Sequence, residues 1–88
     1  MTDYSIVSIL WEDHLSMMRE PVPKNADDSL NPTLSVGILY RETKKTITLI
    51  SDIERYTDRD DATYLIILKS TVIGIQEYGR IKIRKLRT

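Results

Sequence analysis

The chain has 88 residues, with thirteen basic and thirteen acidic side chains and neither cysteine nor phenylalanine. That bounds it to one small domain and excludes disulfides and thiolate metal sites as supports for its core. A chain this short removes only roughly 60–65% of its extended surface from water, which leaves oligomerisation as the natural staple.

The zero net charge hides an asymmetry. Residues 1–79 hold all thirteen acids against eight bases, whereas residues 80–88 hold five bases and no acid. Such an excess points to an anionic partner or to contact between copies. No apolar run approaches the ~20 residues that span a bilayer, and MTDYSIVSILWED carries no basic leader of the signal-peptide kind. The expectation is a soluble cytoplasmic protein that makes no membrane contact.

In chain order, residues 4–11 (YSIVSILW) are β-branched and apolar on both faces, a strand pattern. Residues 12–32 carry Pro21, Pro23 and Pro32, which exclude helix interiors and ladder donors, so a long loop is expected there. One helical turn over 13–19 is compatible with its first part. Residues 33–42 alternate, placing Leu34, Val36, Ile38 and Tyr40 on one face. Gly37 sits mid-strand, where it weakens the strand unless a bend or close approach requires it. Thr43 and Lys44 make a short turn into 45–54, which puts Ile47, Leu49, Ser51 and Ile53 on one face and Thr48, Ile50 and Asp52 on the other. Residues 55–61 (RYTDRDD) read as a solvated polar connection. Residues 62–68 and 71–78 are two further strands, and 80–86 alternates as a sixth.

The last two apolar runs are separated only by Lys69, Ser70 and Thr71, with no Gly, Pro or Asn between them. That length suits one 3₁₀ turn at which the chain changes direction with both runs still buried, so the runs are expected as neighbouring strands of different sheets. With the Gly-bent second strand, the pattern predicts an all-β fold: a small five-stranded SH3-like barrel with a long loop between strands 1 and 2 and a basic tail over 80–88.

At this point the chain resembles the Sm-like (LSm) proteins. Val36-Gly37-Ile38-Leu39 with Ile47-Thr48-Leu49 fits the outline of their first motif, and Tyr64–Leu68, Lys69–Thr71 and Val72–Ile75 fit that of the second. Trp11-Glu12-Asp13, Ser35-Val36-Gly37 and the run Lys69–Ile75 are similar to pieces of small uncharacterised bacterial and phage proteins of this type. The resemblance covers residues 4–79. It implies a homo-oligomeric ring of about five to seven copies closed by cyclic symmetry, in which Tyr64, Ile66 and Leu68 on strand 4 meet Val72, Ile73 and Ile75 on strand 5 of the next copy. It also implies RNA or single-stranded nucleic acid as ligand, with Lys69 and Ser70 facing a central pore. The chain departs from the family in its twenty-residue first loop. Residues 41–47 (RETKKTI) also lack the Asn of the family's uridine pocket.

The residues themselves nominate further contacts. Tyr40 with Arg41, Lys44 and Lys45 could stack a base and neutralise phosphate, but Tyr40 shares the face of Val36 and Ile38, and the favoured reading is a core tyrosine with the lysines as solubility groups at the hairpin tip. Arg80, Lys82 and Arg84 suit salt-sensitive adhesion to nucleic acid, or the guarding of an edge strand. His14 beside Glu12 and Asp13 is a lone histidine, and Asp58, Asp60 and Asp61 lack the glycine and distal Glu of a calcium loop, so no metal or cofactor is expected. No catalytic constellation is recognisable, and the expectation is a non-enzyme. Two alternatives remain open: a structural or protein-interaction module, and a monomeric SH3-like adaptor for Pro-rich peptides that would use some of the five tyrosines.

Overall fold

The computed structural model describes residues 1–12 and 32–87. They form strands β1 (Thr2–Glu12), β2 (Pro32–Glu42), β3 (Thr46–Arg55), β4 (Asp60–Leu68) and β5 (Val72–Ile83), with a 3₁₀ turn over Lys69–Thr71 between the last two. Glu12 and Pro32, expected in the long loop, belong to strands. The interior of that loop, with His14 and the helical turn over 13–19, lies outside the described residues. All five strands join one antiparallel sheet in the order β4-β3-β2-β1-β5, which is not closed, so β4 and β5 are its two edges. The runs on either side of Lys69–Thr71 therefore lie at opposite edges of one sheet, not in different sheets.

Each face of the sheet carries a core, which is why several strands read as apolar on both sides. On one face Val7, Ile9, Ile47, Leu49 and Ile67 are buried together, with Trp11, Leu39 and Val72 packed around them. Each such side chain contributes about 1.5–3 kcal/mol by leaving water. On the other face Tyr4, Ile50 and Leu86 are buried, flanked by Ile38, Tyr40, Ile53, Ala62 and Ile83.

The sheet is bent where β2 changes partners. Residues 32–38 of β2 pair with β1, whereas its pairing with β3 runs only from Ile38 onward. Gly37 sits at this changeover. A Cβ there would lie 2.6 Å from the Ile50 carbonyl oxygen, closer than any side chain tolerates. The close backbone approach is thus the reason for the mid-strand glycine. The bend also divides the expected face of β2: Ile38 and Tyr40 pack into the second core, while Leu34 and Val36 are left exposed. A register shift between Ile50 and Asp52 inserts one residue into β3 and turns Ile53 to the side of Ile50, not to that of Ile47 and Leu49.

The short turn expected between β2 and β3 is present, whereas the end of the chain differs from expectation. The β2–β3 turn has no Gly or Asn because Thr43 does their work: its hydroxyl accepts from the Thr46 amide at 3.0 Å, and its amide donates to the Thr46 carbonyl at 2.9 Å. The segment 80–86 is not a separate sixth strand. β5 continues through a register shift to Ile83, passing Gly79 at φ +154°, a conformation that favours glycine.

Candidate functional site

The residues singled out in the sequence fall at two ends of the sheet. Lys44 and Lys45 occupy the exposed β2–β3 turn, and the Lys69 amide donates to the Lys45 carbonyl at 2.8 Å, which docks the 3₁₀ turn against that turn. Lys69, Ser70, Lys44 and Lys45 are therefore neighbours. The Lys69 ammonium, however, is 2.6 Å from a carboxylate oxygen of Glu42, so its charge is already partnered. Arg41 lies 5.9 Å above the Tyr40 ring, and Tyr40 itself stacks on Tyr4 with ring centroids 6.3 Å apart. Tyr40 is thus half core and half rim. Arg80 and Lys82 lie toward the other end of β5 and Arg84 just past it, roughly 30–43 Å along the chain from the 3₁₀ turn at about 3.3 Å per strand residue. One continuous patch does not contain both groups.

The residues named for an interface lie on the two open edges. Tyr64, Ile66 and Leu68 on β4 are 63%, 57% and 50% exposed, and Ile73 and Ile75 on β5 are 54% and 55% exposed. Val72 is the exception, half-buried against the first core. Unpaired edges with apolar side chains are association surfaces unless something covers them.

The sequence reading missed the most constrained polar cluster. Asp60, expected in a solvated connection, begins β4 with its side chain entirely out of contact with water. The Arg87 amide donates to it at 2.8 Å, one Arg87 guanidinium nitrogen at 2.9 Å and Arg55 Nη1 at 2.9 Å. These hydrogen bonds from Arg87, helped by the nearby charges of Arg87 and Arg55, pull the Asp60 carboxyl down to about 2. Arg87 also donates to the carbonyls of Tyr56, Thr57 and Arg59, and Arg55 Nη2 donates to the Arg84 carbonyl at 2.6 Å. Residues 84–87 are consequently a strap across the sheet, pinned at both ends, with Leu86 buried beneath it. The tail is not a free basic arm. A lone Leu among cations in RKLRT was the signal that could have shown this.

Nearby, the Tyr56 hydroxyl donates to the Glu54 carboxylate at 2.5 Å, a bond that raises the phenol above its ordinary range. Asp58 and Asp61 both pair with Arg59. Among the described residues no group of three His, Cys, Asp or Glu side chains could hold a metal ion, and no helix is long and apolar enough to cross a membrane.

The strap separates two grooves on the second face. The first, about 390 Å³, is lined by Tyr40, Arg41, Thr48, Tyr64, Ile66 and Leu86 among others. The second, about 460 Å³, lies on the Arg84 side of the strap. No protein-family model, curated protein or solved structure matches the chain.

Proposed function

We propose that the chain is the subunit of an Sm-type homo-oligomeric ring, closed by pairing the free edge of β4 in one copy with the free edge of β5 in the next. The observation that carries this reading is the strand order, which among the described residues leaves both edges unpaired while each presents exposed apolar side chains, Tyr64, Ile66 and Leu68 on one and Ile73 and Ile75 on the other. Cyclic symmetry removes both edges at once, and a small core gains the burial it lacks. The Gly37 bend and the 3₁₀ turn between β4 and β5 are further features that suit a strongly curved barrel of SH3 or Sm type.

RNA or single-stranded nucleic acid is the ligand proposed for such a ring, met by Lys69, Ser70, Lys44 and Lys45, which repetition around a pore would multiply. A second reading is favoured by one observation. Glu42 neutralises Lys69 at 2.6 Å, and a ring of paired charges suits a structural or protein-interaction module, bacterial or phage-encoded, acting in the cytoplasm without nucleic acid.

Light scattering coupled to gel filtration at low and high salt tests the assembly. A discrete mass of about five to seven copies that persists in salt is the expected result, and Ile66→Lys should reduce it to a monomer. A monomeric wild type, or a ring that survives Ile66→Lys, would sink the interface. Fluorescence anisotropy with a labelled oligouridine then separates the two readings. Binding that weakens steeply with salt and with Lys44→Glu/Lys45→Glu supports the nucleic-acid ring, and no binding leaves the interaction module.

A further inference from the structure

The strap is held as a bound peptide is held. Residues 84–87 lie outside the strands, and the hydrogen bonds that pin them run to residues 55–60, which are 27 to 31 positions away in the chain. Their seat has two parts. The carboxylate of Asp60, with no exposed side-chain surface, and the carbonyls of Tyr56, Thr57 and Arg59 converge on the Arg87 guanidinium. Such an array of acceptors suits a planar fork of N–H donors and is poorly met by the point charge of a lysine. Beside it, Tyr4 and Ile50 form an apolar socket around Leu86, with Tyr40, Ile53 and Ala62 packed against them.

The polar part has supports of its own. The β3–β4 turn is closed by the Tyr56 amide donating to the Arg59 carbonyl at 2.8 Å. Asp60 stands opposite Arg55 in the β3–β4 ladder and accepts from Arg55 Nη1 at 2.9 Å. Without Arg87 the seat therefore keeps its frame but leaves acceptors unmet, which favours another guanidinium over none. The charges of the two regions are also complementary. Residues 52–61 carry five acids against two bases, whereas residues 80–87 carry five bases and no acid. Two copies consequently attract one another strap to hairpin.

We infer that this cleft is a recognition site for an extended Leu-Arg segment, and that residues 84–87 of a second copy can occupy it in exchange for the chain's own strap. The exchange remakes the same contacts between molecules, which is why swapping an element is a low-cost route to association. Within one chain the tether gives the strap a high local concentration, so an isolated copy fills its own site. The site does not depend on the pairing of the β4 and β5 edges.

The test mixes a receptor whose own strap is spoiled with a donor whose site is spoiled. Leu86→Ala/Arg87→Ala is the receptor, with Arg87→Gln as a second and milder one, and Asp60→Asn is the donor. Amide NMR on the isotope-labelled receptor should show saturable shifts at Tyr56, Thr57, Arg59 and Asp60 when the donor is added. A donor that also carries Arg87→Gln should produce none. The peptide acetyl-Arg-Lys-Leu-Arg-amide, which needs no folded donor, should shift the same residues. Its affinity should fall by about tenfold with lysine in place of its last arginine, and by about tenfold with alanine in place of leucine. A ring closed through β4 and β5 forms in each variant alone and adds no such shifts on mixing. The inference is overturned by absence of saturable shifts in both receptors, by shifts confined to another surface, or by equal affinity for the lysine peptide, which would reduce the attraction to net charge. Binding of the peptide but not of the donor chain would overturn the exchange and make the cleft a site for a Leu-Arg segment of another protein.

Discussion

The two cores of the sheet are held by different physics. The first, around Ile9, Ile47 and Ile67, is closed by apolar packing: these three side chains are buried essentially completely, with Trp11, Leu39 and Val72 packed against their cluster. The second, around Tyr4, Ile50 and Leu86, is covered by a four-residue strap whose anchor is electrostatic, the carboxylate of Asp60 held by Arg55 and Arg87. A core made by alternating strands needs no device beyond the pleat. A core covered by chain beyond the last strand needs a latch, because an extended segment without ladder partners recovers little of its ordering entropy from backbone hydrogen bonds.

That contrast can be broken from its strong side first. Ile9→Ala should cost about 4 kcal/mol in urea unfolding, because Ile9 is fully buried and the cavity has no route to collapse. A cost below that of Leu86→Ala would invert the comparison. Gly37→Ala should cost about 1–3 kcal/mol, since the added methyl meets the Ile50 backbone at 2.6 Å and backbone must move. Leu86→Ala should cost about 2 kcal/mol, less than Ile9→Ala, with the loss read locally as faster amide exchange in residues 84–87 while Ile47–Leu49 stay protected.

The latch itself predicts a dependence on acid. The Asp60 carboxyl titrates near 2 in the folded chain, below the ~3.9 of an unfolded Asp. Its contribution is therefore fully present above about pH 4 and is lost as pH falls through the folded value. Asp60→Asn should be less stable than wild type at pH 7, and the difference should shrink between about pH 4 and pH 2. A difference constant across that range would remove the charge from the latch. The smallest effect is expected at Lys69: Lys69→Ala breaks a half-exposed pair with Glu42 and should change stability by about 0.5 kcal/mol or less.

Much of the first core was legible because it follows period-two alternation. Ile47 and Leu49 were on one face in the sequence and share one in the structure. Ile53 was not legible, because a bulge after Ile50 changes the side that every later residue takes and nothing in LISDIE announces it. The candidate site fared the same way. The exposed edge residues Tyr64, Ile66 and Leu68 could be named from a strand apolar on both faces, whereas the partnering of Lys69 by Glu42 joins residues twenty-seven apart and needed the turns to be docked.

By itself the sequence determined the strand content, the glycine bend at residue 37 and the 3₁₀ turn at Lys69–Thr71, because each is a local matter of side-chain alternation, a missing Cβ or a loop too short for anything else. It also determined that the tail is basic. Only the tertiary structure decided what that charge does. Arg87 finds Asp60, Arg55 finds the carbonyl of Arg84, and Leu86 is buried because folding brings the start of β4 beside the end of the chain. Contacts between residues this far apart follow from the order of strands in the sheet, and no local pattern of residues carries that order.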